Sequence, residues 1–439
     1  MKKKYRIILY TSIFLLCVVA SIILVVKKSN SVYEEESKPK VVKHKSMLSM
    51  NLEQTAGAGD YKTVTQSSWP TEGYKFNAEL SKCENGSTLS WDDTKKAVIM
   101  QGNVSDKCYV YFDIWIPSIA DYCTSGTDLA TCVKNFGDQG PSVSNIYIHN
   151  SSLTNGAGDN SYRYAGANPN NFVCFGSDAS PCPIDNLYRI IGVFGENYHG
   201  ANGKQLVKLI KYDYMTTDEL GTDGDYSQTY KEWGMDNTYK GTYGDGERIG
   251  VYYWNYKATG SATNTWSTSL LNKTNLNTNF INNIGTTWAN KIATVTWKVG
   301  GNTWANIGTK TSSVAYTNEI TNPVTTNTTD NATTYSAKIG LMYVSDYGFA
   351  ASPDAWTLTM SSYNNTTATN NNWMYMGLYE WTTSRTADNS NHAFYVYDDG
   401  GVDDDGVVGN GGVRASFNLE SSVSYVSGSG SMSDPIVIN

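Results

Sequence analysis

Charge is scarce in this chain. Asp, Glu, Lys and Arg make up 17% of its 439 residues, against about 25% in typical globular proteins. The net charge is −8, which argues against a surface built to track nucleic-acid phosphates. Histidine is rarer still: His44, His149, His199 and His392 stand alone, with no metal or triad companion at motif spacing. There is no Walker loop, no GxSxG and no HExxH, so the familiar signatures of P-loop, α/β-hydrolase and zincin chemistry are missing. No CxxC or Cys/His spacing suggests zinc. From residue 183 to residue 439 there is no cysteine at all. The reading therefore expects no catalytic residues, no metal site and no cofactor.

Aromatics and neutral polar groups fill the gap. The chain holds 32 Tyr and 12 Trp, too many for a disordered protein. Residues 1–50 carry ten Lys/Arg and three Glu. The remaining 23 basic and 38 acidic side chains leave the body acidic, at −15. Amides, hydroxyls and phenols supply its polarity, a composition resembling antibody-type binding surfaces.

The N-terminus has the one long apolar run. Residues 7–26 are uncharged, flanked by MKKKYR and by Lys27-Lys28. Twenty such residues are enough for a membrane-spanning helix. The run continues past Val18-Val19-Ala20, which favours an uncleaved signal anchor over a cleaved signal peptide. Positive charge before it votes for a cytoplasmic N-terminus. The expectation is a single-pass cell-membrane protein with its C-terminal body outside. Six cysteines outside the run fit disulfides: Cys83, Cys108, Cys123, Cys132, Cys174 and Cys182. They allow 15 pairings, of which nearest neighbours suggest Cys83–Cys108, Cys123–Cys132 and Cys174–Cys182.

With about 150 residues per domain, the length allows two or three domains. Residues 1–28 read as the anchor and 29–66 as a polar stalk. Residues 67–115 read as a small β module stapled by cysteine. Residues 116–185 read as a loop-rich connector with a short helix around Ile119–Phe136. Residues 186–439 form the main domain. In it, LYRIIGVF and QLVKLIKY predict a hairpin. Leu270, Leu271, Leu276, Phe280 and Ile284 predict an amphipathic helix. Residues 311–334 predict a surface excursion, and Lys338–Ser345 and Trp373–Ser384 predict strands. The run Asp398–Gly406 would need acidic side chains at 401 and 412 to match a calcium loop; both are glycine.

The ordered marks YRIIGVFG, WSTSLLNKTNLNTNFINNIG, AKIGLMYVSDYGFA, GLYEWTTSR and GVRASFNL resemble the C-type-lectin-like fold in its formylglycine-generating-enzyme branch. More closely, they resemble an uncharacterised bacterial domain family of that type. The family usually has Pro where Ala415 stands. The fold class expected is α+β, with a C-type-lectin-like C-terminal domain after a small β module and an N-terminal transmembrane helix. Such enzymes use a cysteine pair that this region lacks, so the resemblance implies the fold and opposes the activity.

Residues 384–419 (SRTADNSNHAFYVYDDGGVDDDGVVGNGGVRASFNL) also resemble the variable region of proteins diversified by retroelements. Mutating the adenines of Asn codons cannot produce Glu, Lys, Gln, Trp or Met, and residues 386–412 contain none of these. Ala393-Phe394, Val396, Gly400, Val402 and Val407 read as fixed scaffold. Between them lie the candidate ligand-binding residues: Thr386, Ala387, Asn389, Asn391, His392, Tyr395, Tyr397, Asp398, Asp399, Asp403, Asp404, Asp405 and Asn410. Strand alternation would send Phe394 and Val396 to one face and Tyr395 and Tyr397 to the other. Arg385 and Arg414 flank the region, and backbone anchoring is the preferred role for both. The function expected is a surface-displayed, non-catalytic receptor or adhesin whose partner is an extracellular protein or glycan, with no nucleic acid. The alternatives are an invariant structural or adhesion protein of the same fold and an enzyme on the formylglycine-generating scaffold.

Overall fold

A computed structural model describes residues 48–439, except 66–67, 71, 104, 196–197, 202, 231–238, 244–248 and 324–331. The chain divides into two units between Ile116 and Pro117.

The first unit is all β. Its strands are β1 (Leu48–Glu53), β2 (Tyr61–Val64), β3 (Tyr74–Cys83), β4 (Thr88–Asp92), β5 (Ala97–Gln101) and β6 (Cys108–Ile114). Four make a sheet in the order β2-β1-β6-β3, and β4 pairs with β5. Residues 48–64, assigned to the stalk by their polarity, are thus two strands. The reason is that Met50 and Leu52 bury against Val110 and Phe112. Phe76 and Trp91 meet Phe112 edge-on, with centroids 5.9 and 5.6 Å away. A core of four buried residues is small, and the Cys83–Cys108 disulfide ties its β3 and β6 together.

The second unit is α+β. It adds β7 (Ile146–Ile148), β8 (Tyr162–Tyr164), β9 (Phe172–Cys174), β10 (Leu187–Phe194) and β11 (Leu206–Lys211). Then come β12 (Tyr226–Thr229), β13 (Gly250–Tyr252), β14 (Val295–Lys298), β15 (Gly301–Asn302), β16 (Thr334–Ala337) and β17 (Ile339–Gly340). The last group is β18 (Glu380–Thr386), β19 (His392–Val396), β20 (Val402–Gly406), β21 (Gly411–Gly412) and β22 (Ser416–Asn418), followed by a short pair near the C-terminus. One sheet runs β17-β22-β11-β10-β8-β7, with β9 also on β10. Another runs β12-β13-β21-β18-β19-β20, with β15 also on β18. The β10–β11 hairpin is antiparallel and buried along its whole length, consistent with its near-continuous apolar runs.

Several readings change here. The stretch 116–185 contributes β7–β9 and the helix Leu129–Gly137, whose Leu129, Cys132, Val133 and Phe136 join the main core. Disulfides Cys123–Cys132 and Cys174–Cys182 close two short loops in it. The helix after Trp266 has a wide pitch over Leu271–Phe280. There the side-chain amide of Asn277 and the hydroxyl of Thr278 donate to the carbonyls five residues back, Asn272 at 3.0 Å and Lys273 at 2.8 Å. The first part of the 311–334 excursion is helical and inward, with Ala315, Tyr316, Glu319 and Ile320 buried. Trp373–Tyr379 lies outside the strand, which starts at Glu380.

The membrane reading is corrected. Among the described residues no helix is long and apolar enough to cross a bilayer. Those that form are short, and the ten-residue Leu271–Phe280 carries only three apolar side chains, whereas a span needs about 20 predominantly apolar residues. The transmembrane helix, the membrane partner and the single-pass cell-membrane localisation therefore have no support in the fold. The run 7–26 itself lies outside the described residues.

Candidate functional site

The candidate region is the three-stranded end of the second large sheet. β18 reads EWTTSRT, a polar sequence, yet all seven residues are buried. Burying hydroxyls and charges is tolerable only when each finds a partner. Thr382 donates to the Phe394 carbonyl at 2.7 Å. Thr383 donates to the Leu341 carbonyl at 3.1 Å and accepts from its amide at 2.9 Å. Ser384 donates to Glu319, whose carboxylate also accepts from the Val344 and Ser345 amides, both at 2.9 Å. Burial pushes the Glu319 carboxyl up to about 7. Trp381 is fully buried, with its indole N–H on the Tyr252 carbonyl at 2.9 Å.

The two flanking arginines are both structural. Glu380 and Arg414 form a buried two-pronged pair at 2.8 and 2.9 Å, and Arg414 also donates to the Met374 carbonyl at 2.7 Å. Burial raises the Glu380 carboxyl, with Arg414 opposing the rise. Arg385 donates to the Val299 carbonyl at 3.0 Å and the Thr386 carbonyl at 3.3 Å. Burial pulls its guanidinium down to about 10.

β19 pairs antiparallel with both neighbours, irregularly on the β18 side between Trp381 and Arg385. Its alternation is as expected, but both faces are covered. Phe394 and Val396 are buried on one side; on the other Tyr395 is 5% exposed. Tyr395 packs between Trp381, Tyr379 and Tyr397, at centroid distances of 5.2, 5.8 and 4.7 Å. Tyr397 is half-buried at the end of this row.

The candidates separate into two sets. Thr386, Ala387 and Tyr395 are buried and face no solvent. Thr386 closes the following turn by donating to the Asn389 carbonyl at 2.6 Å and the His392 carbonyl at 3.2 Å. Asn391, Asp399 and Asp405 are exposed, while Asn389, His392, Tyr397, Asp398, Asp403, Asp404 and Asn410 are half-buried. Cross-strand register places Asp405 opposite Ala393 and Asp403 opposite Tyr395. Those two acids share the face of Tyr397. On the other face His392 Nδ1 meets Asp404 at 2.7 Å. Burial raises the Asp404 carboxyl and His392 works against that rise. One oxygen each of Asp399, Asp403 and Asp405 accepts a nearby backbone amide, Gly401 at 2.9 Å, Asp404 at 2.9 Å and Gly406 at 2.7 Å. The acids do not converge, and among the described residues no three His, Cys, Asp or Glu side chains come together to hold a metal ion.

The turns at both ends are pinned from outside the region. Asn264, fully buried, donates to the carbonyls of Thr386, Asn389 and His392 at 2.8, 2.9 and 2.7 Å. Tyr347 donates to the Gly400 carbonyl at 2.8 Å, and Tyr375 donates to the Asp398 carbonyl. Gly400 has φ +94°, and a Cβ there would come within 2.8 Å of Thr369, so the turn requires glycine. Sequence reasoning missed Asn264, Tyr347 and Tyr375. They lie far off in the chain, and only a buried Asn in a Thr-rich loop could have hinted at one.

No family model, curated protein or solved structure matches this chain. The lectin-like assignment of residues 186–439 is therefore not retained as a description of the fold, which is stated as α+β with two large sheets.

Proposed function

We propose that this protein is a non-catalytic binding module whose ligand surface is the outer face of β20 and the turns beside it. The single observation that carries the reading is the contrast between β18 and β20. β18 is buried and hydrogen-bonded at every polar side chain described above. β20 beyond Val402 is only partly covered: Asp405 is exposed and Asp403 half-buried on one face, beside the half-buried Tyr397, while Asp404 turns to His392 on the other. A rigid aromatic next to short polar side chains is the chemistry of adaptable recognition surfaces. Its acidity favours a cationic or hydrogen-bond-donating partner, a protein or a glycan. Three disulfides support folding under oxidising conditions. The resemblance of residues 384–419 to retroelement-diversified regions supports the idea that this face is varied. In that case the gene would have a near-identical template copy with Asn codons beside a reverse-transcriptase gene.

The test is binding of the full chain to an array of proteins and glycans, repeated with Asp403→Ser/Asp405→Ser and with Tyr397→Ser. The expected result is a partner retained by the parent chain and lost by both variants while their melting temperatures hold. Partners bound equally by all three chains would refute the assignment of this face.

A further inference from the structure

The second unit has an open cleft of about 570 Å³ whose walls include Phe172, Arg189, Lys240, Trp373 and Tyr375. Its size is that of a small-ligand site. Arg189 is 4% exposed. Its guanidinium lies between the rings of Phe172 and Trp373, 4.4 and 4.6 Å from their centroids. It donates only to neutral oxygens: Asn171 at 2.7 Å, the Pro169 carbonyl at 2.9 Å and the Trp373 carbonyl at 3.4 Å. Lys240 is exposed, lies 4.3 Å from the Tyr375 ring centroid and donates to the Thr369 carbonyl at 2.9 Å.

Among the described residues neither cation has a carboxylate within ion-pair distance, whereas the buried cations Arg163, Lys208, Lys211 and Arg414 each do. No Asp or Glu occurs among the described residues lining the cleft. A buried guanidinium without a countercharge is costly, and an anion arriving in the cleft would offset that cost. The rest of the wall is neutral and hydrogen-bonding: Asn168, Asn170, Asn370 and Asn372, with Ser431 and Ser433. Amides and hydroxyls around an aromatic floor match a polyhydroxylated body better than an extended peptide, whose backbone seeks a strand edge.

We propose that this cleft binds a carboxylate-bearing sugar, its carboxylate directed to Lys240 and Arg189 and its hydroxyls to the asparagines. No residue of β20 lines the cleft, and although Tyr375 in its wall also holds the Asp398 carbonyl, the site does not depend on β20 being a ligand surface.

The experiment is saturation-transfer NMR with the full chain, titrating glucuronate, glucose and triglutamate in turn. Glucuronate is expected to bind at least about tenfold more tightly than glucose, a difference of about 1.4 kcal/mol. Lys240→Glu, at an exposed position, should weaken glucuronate about tenfold or more without changing the melting temperature, and Lys240→Arg should retain it. Asp405→Ser should leave glucuronate binding unchanged, so loss of the β20 reading and loss of this one are told apart. Equal binding of glucose and glucuronate, no transfer from glucuronate, or indifference to Lys240→Glu would each overturn the proposal. Tighter binding of triglutamate than of glucuronate would overturn it in favour of an acidic peptide.

Discussion

β18 and β20 lie one strand apart in the same sheet and obey opposite rules. Both are polar in sequence. In β18 the polar groups face inward on both sides and each hydroxyl described has a designated partner, so any exchange leaves a buried donor or acceptor unmet. In β20 Asp403 and Asp405 each give one oxygen to a neighbouring amide and Asp404 one to His392, and none is fully buried. Polar composition alone therefore says little about exchangeability. What decides it is whether the partner is a fixed protein atom or solvent.

The largest effect is expected at the buried ion pair. Arg414→Ala leaves Glu380 without its countercharge in a sealed site, and a loss of about 3–5 kcal/mol is expected, read by denaturant unfolding. Replacing both partners together with Met and Leu should recover much of that loss, because no lone charge remains. A smaller effect is expected at Asn264. Asn264→Ala strips the donor from three carbonyls of the β18–β19 turn, and a loss of about 1–3 kcal/mol should follow. Hydrogen exchange should then quicken at residues 386–392 before it does elsewhere in the sheet.

Glu319 gives a pH signature. Its carboxyl is raised from 4.5 to about 7 by burial, so the folded chain holds a proton that the unfolded chain releases. Stability from this group is full below about pH 4.5 and is lost as pH rises through about 7. Glu319→Gln should flatten that part of the stability–pH profile in thermal melts at pH 5 and pH 8. An unchanged profile would remove Glu319 as its source. The smallest effect belongs to β20: Asp405→Ser should alter stability by no more than about 0.5 kcal/mol.

Parts of this arrangement were legible in the sequence. Apolar runs marked β10 and β11. The alternation of β19 was also readable, because Phe394 and Val396 are apolar. The burial of Tyr395 was not, since its cover comes from Trp381 and Tyr379 on the neighbouring strand and loop. A strand reaching Ser384 was expected, but the burial of β18 was hidden because a run of Thr, Ser and Arg looks like solvent-facing strand or loop. Its burial depends on Glu319, Leu341 and Val299, all distant in the chain. Strands β7–β9, three residues each, are too short to carry a period. Thr386 and Ala387 looked variable by position alone, yet they close a turn held by Asn264, 122 residues away from Thr386 in sequence.

Within one sheet, then, the β20 edge tolerates exchange and β18, one strand away, does not. The direct measurement is a pair of displayed libraries in the full chain. One randomises Tyr397, Asp403, Asp405 and Asn410; the other randomises Thr382, Thr383, Ser384 and Thr386. Folded fraction is read by protease resistance. Most members of the first library are expected to stay folded and few of the second. Equal losses in the two libraries would contradict that expectation.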